Sequence, residues 1–129
     1  MNREKILFVD ENQYITDVYS FLMCKEGYCV VAVSGGTKAL EILNQESFDL
    51  VITDLTIKNR NGHTLLEDIN EQFSHVPIIV LTDNLSNVVR EFSFSLGAFA
   101  LIEKPCASEL LLSCIRKSLR VTRKKMFQN

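Results

Sequence analysis

Proline and glycine are scarce in this chain, with 2 and 5 residues among 129, while 47% of the composition is hydrophobic. That balance excludes a linker or a disordered tail and fits one globular domain over 1–129, with a full-sized core and no room for a second. A long apolar run is also missing. Met1-Asn2-Arg3-Glu4-Lys5 is followed only by Ile6 to Val9 before Asp10, too short for a signal peptide or a membrane span, so a cytoplasmic chain with no membrane partner is expected. The four cysteines, Cys24, Cys29, Cys106 and Cys114, lack C-x-x-C spacing and sit among apolar residues. They are expected to be reduced thiols, mostly buried. His63 and His75 have no partners at ligand spacing and are expected at the surface. Internal repeats and low-complexity segments are absent.

Charge is unevenly spread. Arg116, Lys117, Arg120, Arg123, Lys124 and Lys125 fall in one acid-free run, and six positive charges against a net −2 leave −8 for the rest. A basic helix end over about 116–125 is expected to be a solvated face that complements the helix dipole. Nucleic-acid or anionic-lipid binding is the sharper alternative and is not the expectation for so short a patch.

What is present is alternation. Short apolar runs, Ile6 to Val9, Tyr28 to Val33, Leu50 to Thr53, Val76 to Thr82 and Phe99 to Ile102, read as strands. Between them Ile15/Val18/Leu22, Ala39/Leu40/Leu43, Leu65/Ile69/Phe73 and Val88/Phe92/Leu96 recur every three to four positions, and Leu111/Ile115/Leu119 follows the last. Each set predicts the buried face of a helix. Five strand–helix units argue for an α/β fold with a doubly wound parallel sheet, because parallel strands need right-handed crossovers. Pro77-Ile78-Ile79-Val80-Leu81 is apolar throughout, as a strand covered on both faces should be.

Ligands of such sheets bind at the carboxyl ends of the strands. Asp10-Glu11 follows the first strand, Asp54 the third, Thr82-Asp83 the fourth and Lys104-Pro105 the fifth. Like charges about 4 Å apart at an effective dielectric of 20 repel by about 4 kcal/mol. Three carboxylates with one lysine therefore call for further positive charge, and a hard cation such as Mg²⁺ suits carboxylate oxygens supplemented by water and phosphate.

With these residues in this order, the sequence resembles the response-regulator receiver domain of two-component signalling, of the chemotaxis-regulator kind, over essentially its whole length. The resemblance implies a flavodoxin-like five-stranded sheet of order 2-1-3-4-5. It implies that Asp54 is the phosphoacceptor for a sensor histidine kinase or a small acyl phosphate. Asp10, Glu11, Asp54 and the backbone carbonyl of Thr56 would hold Mg²⁺; Thr82 and Lys104 would bind phosphoryl oxygens, and Pro105 would follow a cis peptide. Such a domain is a switch, not an enzyme: Thr82 moves, and the surface of the fourth helix, fifth strand and fifth helix rearranges for a downstream protein or effector domain, or for a homodimer. Arg90, Phe94 and Leu101 fall on that surface, with Phe94 expected to be exposed and Arg90 one turn before it.

Some positions depart from the family pattern. Glu11 replaces a commoner aspartate, Ile57-Lys58 stands where Met-Pro is frequent, and Leu101 replaces an aromatic residue, so a smaller surface change is expected. Asp83 occupies a position usually filled by a small residue; a carboxylate there either repels the incoming phosphoryl group or turns outward and caps the next helix, and capping is the favoured expectation. Two other readings compete. A pseudo-receiver would act as a phosphorylation-independent interaction module, and a flavodoxin-like redox protein would need a Ser/Thr/Gly-rich phosphate loop where Asp10-Glu11-Asn12 stands. The chain is expected to be either a stand-alone receiver or a piece of a longer regulator.

Overall fold

The computed structural model describes residues 3–59 and 61–126, with side chains up to Val121. Strands β1 (Lys5–Val9), β2 (Cys29–Val33), β3 (Leu50–Asp54), β4 (Ile78–Thr82) and β5 (Ala100–Glu103) alternate with helices α1 (Gln13–Lys25), α2 (Gly36–Gln45), α3 (Leu65–Gln72), α4 (Asn87–Ser95) and α5 (Ser108–Met126). All strand pairs are parallel and the sheet order is β2-β1-β3-β4-β5. The expected doubly wound fold and strand order are therefore the ones observed.

Burial explains why the central strands are apolar at every position. Side chains alternate across a strand, and both faces of this sheet are covered. Leu7, Val9, Val51, Ile78 and Val80 pack with Ala39, Leu43, Leu65 and Ile69 on the α2/α3 side. Ile6, Phe8, Leu50, Ile52, Ile79 and Leu81 pack with Tyr19, Met23, Leu111, Ile115 and Leu119 on the α1/α5 side. Every residue of β3 and β4 is buried, whereas edge strand β2 is not buried at any position.

Local signals set the helix ends. Asn12 accepts from the N–H groups of Tyr14 and Ile15 at 2.9 and 3.2 Å, and Thr64 with Glu67 forms a capping box at α3, each satisfying donors that the first turn leaves unpaired. Gly27 and Gly97 follow the last residues of α1 and α4 with φ of +97° and +85°, the left-handed termination that glycine adopts without a Cβ clash.

Three expectations are corrected. On α4, Val88 is 77% exposed and Phe92 38%, while Ser93 is fully buried and Val89 and Leu96 are partly buried. The stripe is displaced by one residue, about 100° of helix rotation, because Val89/Ser93/Leu96 and Val88/Phe92/Leu96 have equally good spacing and only packing chooses between them. On α1 the buried line is Thr16/Tyr19/Met23, with Ile15 and Leu22 at its margin and Val18 exposed. The cysteines are free thiols as expected but are not mostly buried. Cys24 lies on the outer side of α1 and Cys29 on the edge strand, both exposed, and Cys106 and Cys114 are partly buried.

His63, His75, Arg116, Lys117 and Arg120 are exposed; the side chains of Arg123, Lys124 and Lys125 lie outside the described residues. Among the described residues no helix is long and apolar enough to cross a membrane.

Leu7→Ala should lower the unfolding free energy by about 2–5 kcal/mol, whereas Val88→Ala should change it by less than about 0.5 kcal/mol. Ser93 Oγ is buried with no hydrogen-bond partner among the described residues. Ser93→Ala removes that hydroxyl and improves helix propensity, so it should raise stability by about 1 kcal/mol. Denaturant titration of the three variants measures these shifts, and equal losses at Val88 and Leu7 would place Val88 in the core.

Candidate functional site

The parallel order brings the carboxyl ends of β1, β3, β4 and β5 to one rim. Asp10 follows β1 directly, Asp54 ends β3, Thr82 ends β4 and Lys104 follows β5. Adjacent pairing of β1 with β3 puts the two aspartates side by side, and the long Lys104 side chain reaches across the end of β4 to both. Its Nζ donates to Asp10 Oδ2 at 3.0 Å and to Asp54 Oδ2. Asp10, Asp54 and the Lys104 side chain are 3, 6 and 7% exposed, so each charge depends on the others for compensation of lost hydration.

The remaining oxygens are also engaged. Asp10 Oδ1 accepts from the Asn12 N–H at 2.8 Å. Asp54 Oδ1 accepts from the Thr56 N–H at 2.8 Å and from its hydroxyl at 2.7 Å. Burial pushes the Asp54 carboxyl up, but hydrogen bonds from Lys104 and Thr56 outweigh it and hold Asp54 below the usual carboxylate range. Burial pushes Lys104 down, and Asp54 with Asp10 outweighs it, so its ammonium is held above the ordinary lysine range. The shifts agree in sign with one ion pair.

These groups sit in a depression of about 270 Å³ lined by Asp10, Glu11, Asn12, Asp54, Thr56, Asp83 and Lys104, with Ile15 and Pro105 at its edge. Glu11 shares the depression but is exposed, and among the described residues no three acidic side chains converge as a ligand shell. The donor chemistry nevertheless fits a hydrated Mg²⁺, since the acidic lining is all oxygen and that ion takes one or two carboxylates while keeping several waters. Asp10, Glu11, Asp54 and Thr56 are the residues that could hold it.

Thr82 is buried, but its Oγ1 accepts from the Asn84 N–H at 3.2 Å and so faces its own loop. The Lys104–Pro105 peptide is cis, in agreement with the family resemblance. The cap of α4 is Ser86, whose Oγ accepts from the Val89 N–H at 3.1 Å. The expectation that Asp83 caps this helix is therefore wrong: serine sits nearer the first turn, and Asp83 instead faces the depression with Oδ1 3.8 Å from Lys104 Nζ. Arg90 and Phe94 are exposed on α4, and Leu101 is partly buried on β5 against the α2/α3-side core; none of them lines the depression.

Sequence reasoning did not find two contributions. The Thr56 hydroxyl grips Asp54, yet a threonine two residues beyond a strand end carries no distinctive signal. Tyr19 ties α1 to the segment after β5, its hydroxyl oxygen accepting from the Cys106 N–H at 3.3 Å. Its buried position on α1 could have been found from the second helical stripe.

The family model described as response regulator receiver domain matches residues 6–116. A receiver domain protein from Methanospirillum hungatei, described as CheY-like, is 27% identical with a TM-score of 0.88, covering 96% of this chain and 99% of that one. The signal receiver domain of an HD domain-containing protein from Pseudomonas fluorescens is 26% identical, with a TM-score of 0.87 and coverages of 95% and 99%. NtrX from Brucella abortus, 23% identical with a TM-score of 0.88, is covered over only 29% of its length by 97% of this chain.

If the Lys104 contact holds Asp54 ionised, the Asp54 carboxyl carbon in an NMR pH titration should show a midpoint below the free value of about 3.9. Lys104→Met should move that midpoint upward, since burial remains while the cation is lost. By linkage, a depressed folded value stabilises the fold above about pH 3.9, and this contribution disappears as pH falls through the folded midpoint. An unmoved midpoint in Lys104→Met would show that the contact does not form in solution.

Proposed function

Because this chain belongs to the response regulator receiver domain family and is thus a signalling switch of two-component systems, we propose that Asp54 is its phosphoacceptor. The observation that carries this reading is the buried bridge of Lys104 between Asp10 and Asp54 at the floor of the rim depression. A buried carboxylate kept anionic is a competent nucleophile toward phosphorus. Thr56 fixes Oδ1 by two hydrogen bonds, which leaves Oδ2, the oxygen facing Lys104, to meet the phosphorus atom. Lys104 then transfers a donor from the carboxylate to an oxygen of the incoming group, where negative charge is spread in a loose transition state.

Mg²⁺, held by Asp10, Glu11, Asp54 and the Thr56 carbonyl, would supply the further positive charge that the phosphoryl oxygens need. Thr82 Oγ1 would leave Asn84 and donate to the phosphoryl group, drawing in the end of β4. The helix that follows is weakly seated, with Ser93 its one fully buried residue among those described. A shift at Thr82 would therefore act on a neighbour with little buried contact, and Arg90, Phe94 and Leu101 would carry the change to a partner. The donor in this reading is a sensor histidine kinase in the cytoplasm. The recipient is an effector domain or a separate protein, in keeping with relatives in which a receiver is a small part of a longer chain.

Asp83 at the mouth of the depression favours the competing reading, a module that binds its partner without phosphorylation. Intact mass after incubation with Mg²⁺ and an acyl phosphate separates the two. The native chain should gain one phosphoryl group and Asp54→Asn none, and Lys104→Met should slow the gain by about a hundredfold, the scale of losing one charge-stabilising donor. A native mass that stays unchanged would leave the interaction module as the function.

A further inference from the structure

Among the described residues Asp83 caps no helix and packs in neither apolar cluster. Ser86 takes the cap, Asp83 is 81% exposed, and its ion-pair partner among the described residues is Lys104 Nζ at 3.8 Å. An ammonium has three donors. Two of those on Lys104 are already given to Asp10 and Asp54, and Asp83 lies within ion-pair distance of the same nitrogen and lines the same depression. A phosphoryl group that reaches Asp54 and Lys104 through that depression has the Asp83 carboxylate in its lining.

Resting on the phosphoacceptor reading of Asp54, we propose that Asp83 sets the donor preference of the site. It disfavours free acyl phosphates, which are dianions near neutral pH, relative to small phosphorus–nitrogen donors of lower net charge such as phosphoramidate. The transfer itself is the same for both. Asp54 Oδ2 forms a bond to phosphorus as the bond to the leaving atom breaks. From an acyl phosphate the electron pair departs on a carboxylate oxygen. From phosphoramidate it departs on a nitrogen that already carries its protons and leaves as ammonia. Asp83 acts before bond breaking, by repelling the donor in proportion to its charge and by competing for Lys104. The repulsion passes through solvent, so salt should weaken it: the screening length is about 10 Å at 0.1 M and about 3 Å at 1 M ionic strength.

The test is the initial rate of phosphoryl uptake by intact mass, for native chain, Asp83→Asn and Asp83→Glu, with acetyl phosphate and with phosphoramidate, at low and at high salt. Asp83→Asn should react about two- to fivefold faster than native with acetyl phosphate at low salt, the scale of one exposed charge contact. The gain should be smaller with phosphoramidate and should vanish near 1 M salt, while Asp83→Glu stays as slow as native. Equal rates for native and Asp83→Asn at low salt would overturn the role of Asp83 while leaving Asp54 as acceptor. A gain that persists at high salt, or is equal for both donors, would overturn it in favour of a steric effect. Uptake that survives Asp54→Asn, or no uptake by any variant, would overturn the acceptor reading and this one with it.

Discussion

A single buried cation organises the functional end of this molecule. Lys104 Nζ joins Asp10 and Asp54, residues 94 and 50 positions away in sequence, at a place where all three side chains are nearly inaccessible. Two adjacent carboxylates without it would face both mutual repulsion and lost hydration, costs that exceed what hydrogen bonds from Asn12 and Thr56 return. The bridge therefore constrains the relative positions of β1, β3 and β5 at one rim. It also leaves one N–H of the ammonium without a close carboxylate, since Asp83 comes no nearer than 3.8 Å.

The rest of the fold packs the two sides of that rim unequally. β1, β3 and β4 are buried on both faces by two separate apolar clusters, so Asp10 and Asp54 stand on well-anchored strands. Tyr19 fastens α1 to the segment beyond Lys104. In contrast, α4 presents a buried serine to the core and leaves Val88, Phe92 and Phe94 exposed. The inner line of that helix, Val89/Ser93/Leu96, is fully buried only at the serine, so it buries less apolar surface than the strands beneath it.

Much of this was legible in the residue order. The doubly wound sheet followed from strand-length apolar runs alternating with helical stripes, and continuous runs such as Ile78 to Leu81 marked strands covered on both sides. Acids and a lysine just past the strand ends located the rim. Less legible was which of two equally spaced stripes a helix buries: α4 chose Val89/Ser93/Leu96, and α1 chose Thr16/Tyr19/Met23, because burial depends on the angle at which each helix meets the sheet. Exposure of Cys24 and Cys29 was hidden for the same reason.

Sequence alone determined the order and type of the elements and the chemical inventory at their ends, because periodicity and capping are properties of neighbours along the chain. Tertiary structure alone decided that Lys104 pairs with Asp10 and Asp54 while Glu11 remains in solvent. It also decided that Thr56 grips Asp54 by its hydroxyl and that Asp83 faces the mouth of the depression instead of capping α4. Those outcomes depend on side-chain reach and on competition for one cation among residues from different strands, and distances between strands are not written in the spacing along any one of them.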